Sequence, residues 1–193
     1  NPSSHRLYKV DQSQSTKQFK TERHGMIVEL RSNGAQTVFP GSIHESGEII
    51  SFEKDEKPAE VTWNELYDNV RNVALSTVLY GVWKKGNRHT LALSTAGFLA
   101  VHGVCLDDAM HIIKTIVVVS GDEELDDRLE AVRTTYAAHE KGTSISWKCD
   151  LEAILGKETL YSIQKWMPSV RTIAEGNGVY PSISEFSGAV QIK

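Results

Sequence analysis

Thr62-Trp63-Asn64-Glu65, followed by Leu66, Val70, Val73, Thr77 and Tyr80, is where the pattern of this chain changes. Thr62 and Glu65 have the spacing of a capping box, in which the hydroxyl accepts from the backbone three residues on and the carboxylate reaches back. The apolar residues behind it recur at three-to-four spacing, which predicts a helix. Before this point the apolar residues fall in short β-rich runs, 6–10, 26–31, 36–39 and 48–53, separated by polar or glycine-containing turns. Ser32-Asn33-Gly34 is a tight-turn signal and makes 26–39 a hairpin. Asp55-Glu56-Lys57-Pro58 then breaks the strand pattern.

After the first helix, closed by Lys84-Lys85-Gly86-Asn87, the spacing predicts a second helix over 90–102 stopped by Gly103, and a third over 107–119 stopped by Ser120-Gly121. A fourth, over 123–140, carries Leu125, Leu129, Val132 and Tyr136 on one face and has Gly142 after it. Asp150 is expected to cap a short helix over 151–155, and 158–167 offers Leu160, Ile163 and Trp166. Five or six short helices joined by tight turns make a helical bundle. The expected class is therefore α+β, with a β-rich part over 1–60, an all-α bundle over 61–170 and a linker or tail over 171–193. No internal repeat is visible.

With 193 residues, 40% hydrophobic and 24% charged, the chain can bury a core. No apolar run approaches the roughly 20 residues that span a bilayer. The first residues lack the pattern of a secretory signal. A soluble, cytoplasmic protein with no membrane partner is expected. Cys105 and Cys149 are far apart and without a C-x-x-C neighbour, which indicates neither a disulfide framework nor a zinc site but buried or incidental thiols. The net charge of -4 hides an asymmetry. Residues 1–31 hold six Lys/Arg against three acids, whereas 106–140 hold nine acids against Lys114, Arg128 and Arg133. The basic front end could meet phosphates, and the acidic stretch reads as a solvated helix face. The chain starts without methionine and in mid-motif, so a piece of a longer protein is expected.

Two residues of the β-rich part suggest a site for a metal-bound triphosphate. Glu29 stands inside Ile27-Val28-Glu29-Leu30, where a desolvated carboxylate is costly unless a metal or a cation meets it. Strand alternation also allows it on the solvent face, and spacing alone favours that. His5 can donate to a phosphate oxygen while Ser3 supplies a hydroxyl, although a histidine near a chain end is ordinarily just exposed.

The order of three segments goes further. Ser3-Ser4-His5 with its strand Arg6-Leu7-Tyr8, then Ile27-Val28-Glu29-Leu30-Arg31-Ser32-Asn33-Gly34, then Val38 to Glu48 in the form V-x-P-x-S-x-H-x-x-G-E, resembles the second half of the primase-polymerase domain of the archaeo-eukaryotic primase superfamily, as found in plasmids, phages and integrated elements. Trp83-Lys84-Lys85-Gly86-Asn87-Arg88-His89, followed by Leu91-Ala92-Leu93 and Ala96-Gly97-Phe98-Leu99, is similar to the signature of the helix bundle behind that core. Together the likenesses cover about residues 2–167.

The resemblance implies the C-terminal part of a primase-polymerase core followed by the bundle, and DNA-dependent primer synthesis and DNA polymerisation. It implies that Glu29 is a metal ligand and that His5, with Ser3 beside it, contacts the phosphates of the incoming nucleotide. Ser42-Ile43-His44 also matches S-x-H, so Ser42, His44 and Arg31 join the candidates for nucleotide contact. The family's paired acidic motif is absent from this chain, and the two-metal site for Mg²⁺ or Mn²⁺ is expected to take its remaining ligands from upstream. Lys84, Lys85, Arg88 and His89, at a helix N-terminal turn, would contact phosphate; bracing of neighbouring helices is an equal reading for Arg88 and His89. Trp83 is read as a core anchor ahead of a base-stacking platform. The implied partners are a single-stranded DNA template, nucleoside triphosphates, and a fused or separate replicative helicase. The rival is a non-catalytic module that binds single-stranded DNA or a replication partner; a helix-turn-helix form of it is disfavoured by the acidic third and fourth helices.

Overall fold

The capping box forms. Thr62 Oγ1 accepts from the Glu65 N–H at 3.2 Å, and the Glu65 carboxylate accepts from the Thr62 N–H at 2.9 Å and from its hydroxyl at 2.7 Å. Asp11 Oδ1 adds a further cap by accepting from the Trp63 N–H at 2.7 Å. These bonds satisfy N–H groups that a helix start leaves open, and α1 (Trp63–Tyr80) follows.

The computed structural model describes residues 5–54 and 56–168. Ser3 and the whole 171–193 tail lie outside the described residues. The elements are β1 (Tyr8–Val10), β2 (Lys17–Thr21), β3 (Gly25–Leu30), β4 (Ala59–Val61), α1, α2 (Arg88–Val101), α3 (Leu106–Ser120), α4 (Leu125–Glu140), α5 (Lys148–Leu155) and α6 (Lys157–Gln164). The class is α+β, with six helices and two small sheets among the described residues. The chain divides into two compact units. One holds the described residues up to Gln18 together with Glu29–Val70; the other holds Phe19–Val28 together with the described residues from Arg71 onward. The far end of the β2–β3 hairpin thus belongs to the helical unit.

In the strand unit, β1 pairs with β4 in parallel, with Tyr8 opposite Ala59 and Val10 opposite Val61. The expected 26–39 hairpin does not form; β3 pairs with β2 instead. At Ser32-Asn33-Gly34 the chain does turn, with Gly34 at φ +85°. Asn33, however, bonds back to the segment before β2, its N–H to the Gln14 carbonyl at 3.0 Å and its carbonyl to the Thr16 N–H at 3.2 Å. Neither 36–39 nor 48–53 is a strand. A single antiparallel bridge, Ile43 to Ile49, closes a loop in which Phe39 meets Phe52 edge-on at 5.8 Å. Val38, Phe39, Ile43, Ile49 and Phe52 all stay substantially exposed, so these runs lack the buried face that holds a strand in register.

In the helical unit α2 is the central element. Leu91, Ala92 and the run from Ser94 to Ala100 are buried, and α2 packs on α3, α4 and α5. Its stop is Gly103 at φ +73°, and that of α3 is Gly121 at φ +64°; both are left-handed positions that favour glycine. Tyr136 of α4 is buried, and its hydroxyl donates to the Val104 carbonyl at 2.9 Å. Phe19 of β2, 1% exposed, meets Trp166 edge-on at 5.6 Å. Asp150 does not cap α5; it lies in the first turn, and the N-cap position is Trp147. Cys105 and Cys149 are free and exposed rather than buried, and the Cys105 sulfur accepts from the Asp108 N–H at the start of α3.

Gly97 stands in the interior of α2, where alanine ordinarily gains about 1 kcal/mol of helix stability. Here a Cβ would lie 2.7 Å from Ile145 Cγ2 and 3.0 Å from Trp147 Cβ. Overpacking of this kind costs about 1–3 kcal/mol and outweighs the propensity gain. Gly97→Ala is therefore expected to lower the unfolding free energy in urea titration, whereas an unchanged or higher value would show that the 145–147 segment yields.

Candidate functional site

The sequence-predicted residues fall into two groups, one in each unit. In the strand unit, β3 carries Glu29 near its end, half-buried. Its carboxylate is held from both sides: Gln18 Nε2 donates to Oε1 at 2.9 Å and Arg31 Nε donates to Oε2 at 2.7 Å. Arg31 is fixed in turn, its Nη1 donating to the Gln36 carbonyl at 3.2 Å and to Thr37 Oγ1 at 3.3 Å. The bonds from Gln18 and Arg31 keep the Glu29 carboxyl below the usual range, so it is ionised at neutral pH.

His5 is exposed and precedes β1. No ladder joins the strand that follows His5 to the strand that carries Glu29, because β1 pairs with β4 and β3 with β2. Ser42 and His44 lie in the 39–50 loop, where the Ile50 N–H donates to the Ser42 carbonyl at 3.0 Å and the His44 N–H to the Glu48 carbonyl at 2.8 Å. His44 Nδ1 accepts from the Ser46 N–H at 3.2 Å and lies 2.9 Å from Ser46 Oγ. Its Nε2 is therefore the nitrogen left to carry the proton of a neutral ring. Among the described residues, no group of three or more His, Cys, Asp and Glu side chains is placed to hold a metal ion.

In the helical unit, Lys84 and Lys85 are exposed in the turn between α1 and α2, and His89 is exposed in the first turn of α2. Arg88 behaves differently. Its guanidinium pairs with Asp122 at 3.1 Å and with Glu123 at 3.6 Å, and its side chain is 20% exposed. The helix-bracing reading describes this contact. Trp83 is 5% exposed, and its Nε1 donates to Asp122 at 3.0 Å, so it is a core anchor.

Asp122 is the residue the sequence did not single out. It was counted with the solvated acids of 106–140, yet its carboxylate has no solvent exposure. Four donors meet it: Trp83 Nε1, Arg88 Nη1, Arg128 Nε at 3.2 Å and the Glu124 N–H at 3.3 Å. Gly121 supplies the reason, since the left-handed turn after α3 takes Asp122 off the helix surface, its N–H returning to the Val117 carbonyl at 3.0 Å. Burial pushes the Asp122 carboxyl up, and the bonds from Trp83, Glu124 and Arg128 outweigh it, leaving it below the ordinary range. A glycine stop followed directly by an acid, with an arginine six residues on, is the signal that could have marked it.

No protein-family model, curated protein or solved structure matches the chain. No helix among the described residues is long and apolar enough to cross a membrane.

Because the folded Asp122 carboxyl lies below its unfolded value, its contribution is fully present above the ordinary aspartate range near about pH 4 and is lost as pH falls through the folded value. Thermal melts between neutral and acid pH are expected to show this loss. Asp122→Ala at neutral pH is expected to destabilise by about 1–3 kcal/mol, because it removes the buried acceptor shared by Trp83, Arg88 and Arg128 and leaves the two guanidiniums only the more exposed Glu123 and Glu124. A melting temperature within error of the parent would remove the network from the stability of the unit.

Proposed function

We propose that the chain is part of a primase-polymerase of the mobile-element type: a C-terminal portion of its nucleotidyl-transfer core with the helix bundle that follows, acting in template-directed primer synthesis and DNA polymerisation. The observation that carries this reading is the Glu29 carboxylate. It is ionised and oriented by Gln18 and Arg31, and it lies in the segment that resembles the family's carboxylate strand.

The donor chemistry fits a hard divalent cation, since an ionised carboxylate oxygen is a ligand for Mg²⁺ or Mn²⁺. It fits as one ligand, and the proposal takes the others from outside the described residues. Such ions, when bound, supply charge stabilisation to the attacking and leaving oxygens. The chain's own residues do the rest. Glu29 provides the oxygen, and His5 or His44 donates to phosphate oxygens of the incoming triphosphate. Lys84 and Lys85, exposed in the α1–α2 turn, and His89, exposed in the first turn of α2, meet template or nucleotide phosphates. The reaction is in-line attack of a 3′-hydroxyl on the α-phosphate with release of pyrophosphate. Single-stranded DNA and nucleoside triphosphates are the proposed partners, and the proposed setting is cytoplasmic.

A second reading is a non-catalytic module that binds single-stranded DNA or a replication partner, which needs no more than the exposed Lys84 and Lys85 of the α1–α2 turn. Incorporation of labelled nucleotides on single-stranded DNA with Mg²⁺ or Mn²⁺ separates the two. The complete protein is expected to synthesise product, and Glu29→Ala is expected to abolish synthesis with the fold intact by circular dichroism. Full synthesis by Glu29→Ala would remove Glu29 from the site. No product from the complete protein, with single-stranded DNA still bound, would favour the module.

A further inference from the structure

The turn of the β2–β3 hairpin is fixed on the end of α1. Thr21 is buried, and its Oγ1 accepts from the His24 N–H at 3.1 Å and lies 2.8 Å from His24 Nδ1. The ring so held reaches Gly81, where the position of a Cβ would be 3.5 Å from His24 Nε2. Burial lowers the His24 pKa and the charge of the neighbouring Arg23 lowers it further, so the ring is neutral at neutral pH. Arg23, exposed, is then the cation of this turn, and Glu22 beside it is the acid. Directly before Gly81 stands Tyr80, which ends the apolar stripe of α1 and yet is 49% exposed. Its carbonyl accepts from the Trp83 N–H at 3.2 Å, and Trp83 is anchored on Asp122. Lys84 and Lys85 follow at once. The hairpin therefore brings Arg23 to a segment far from it in sequence. Arg23, Lys84 and Lys85 enter no ion pair among the described residues, whereas Arg88 is committed to Asp122.

We infer that Arg23, Tyr80, Lys84 and Lys85 form one contact surface for a single-stranded nucleic acid, with Tyr80 stacking on a base and the three cations meeting neighbouring phosphates. The inference rests on the reading of the α1–α2 turn as a phosphate contact, adds to it the hairpin turn and a base platform, and makes no use of Glu29. An exposed aromatic ring among unpaired cations matches what a single strand offers, unstacked bases with π faces on a charged backbone. A duplex keeps its bases stacked inside, and an acidic peptide brings charge without a base to lay on the ring. Both halves of the surface are ordered beforehand, one by Thr21 and His24, the other by Trp83 on Asp122, so less freedom is lost when the strand binds.

The test is titration of the complete protein against a labelled single strand of mixed sequence, read by fluorescence anisotropy over a range of salt, beside melting temperature and nucleotide incorporation. Arg23→Ala is expected to weaken binding and to lower the slope of log affinity against log salt by about 0.7, the share of one phosphate contact on a single strand. Tyr80→Ala is expected to weaken binding by about 5–150-fold with the slope unchanged, since stacking releases no ions, and Tyr80→Trp to keep the affinity. The melting temperature is expected to stay, because these side chains are exposed. Parent affinity and slope in Arg23→Ala, or parent affinity in Tyr80→Ala, would overturn the inference even where the complete protein incorporates nucleotides. Losses in both variants without any incorporation would uphold the surface and remove the catalytic reading instead. Poly-glutamate is expected to compete poorly at equal charge; equal competition would make this a site for acidic peptide and overturn the inference.

Discussion

A carboxylate taken fully out of water costs several kcal/mol unless its lone pairs are met, and the helical unit accepts that cost at Asp122. The four donors that meet it come from the end of the α1 segment, the start of α2, the α3–α4 turn and α4 itself. One short side chain thereby sets the separation of three helix termini. The apolar core alone would tolerate sliding among helices, because burial of Leu91, Ile113 and Val132 is non-directional. The hydrogen bonds to Asp122 are directional, and they hold the α1–α2 turn, which carries Lys84 and Lys85, and the start of α2, which carries His89, at a fixed place on the bundle.

The hairpin shows a second constraint of this kind. Phe19 is the only large apolar side chain of β2, and it is buried against Trp166. Burying an aromatic ring stabilises by roughly 1.5–3 kcal/mol, which offsets part of the ordering of a strand otherwise built from Lys17, Gln18, Lys20 and Thr21. Once β2 is in place it offers β3 its backbone partner. The same alternation that turns Phe19 inward turns Gln18 outward, so the packing choice and the neighbour of Glu29 are two consequences of one register.

The helices were legible because each carries its own punctuation. Thr62 with Glu65 marks a start, Gly103 and Gly121 mark stops, and the apolar stripes between them have the right period. The strands were less legible for a physical reason. In Lys17-Gln18-Phe19-Lys20-Thr21 only Phe19 is strongly apolar, so no alternation shows, although one buried ring decides the pairing. The converse holds at 36–39 and 48–53, whose composition favours strand but whose side chains find no buried face. The partners of Glu29 and the burial of Asp122 were hidden because both depend on side chains distant in sequence, Gln18 for the one and Trp83, Arg88 and Arg128 for the other.

That placement bears on how the bundle would use its charge under the proposed function. Arg88 sits in the signature run beside Lys84, Lys85 and His89, and composition alone would count it with them. Its guanidinium is committed to Asp122, and Glu123 lies close to it. An arginine so neutralised adds little to long-range attraction of a phosphate chain. The attraction then falls to Lys84 and Lys85. The acids at Glu123, Glu124, Asp126 and Asp127 lie on the far side of the same ion pair in sequence and limit the basic face to that short turn. Under the proposed function, a surface of this size would meet a few phosphates of a single strand or of one triphosphate. It does not suit the long basic face of a duplex-binding recognition helix.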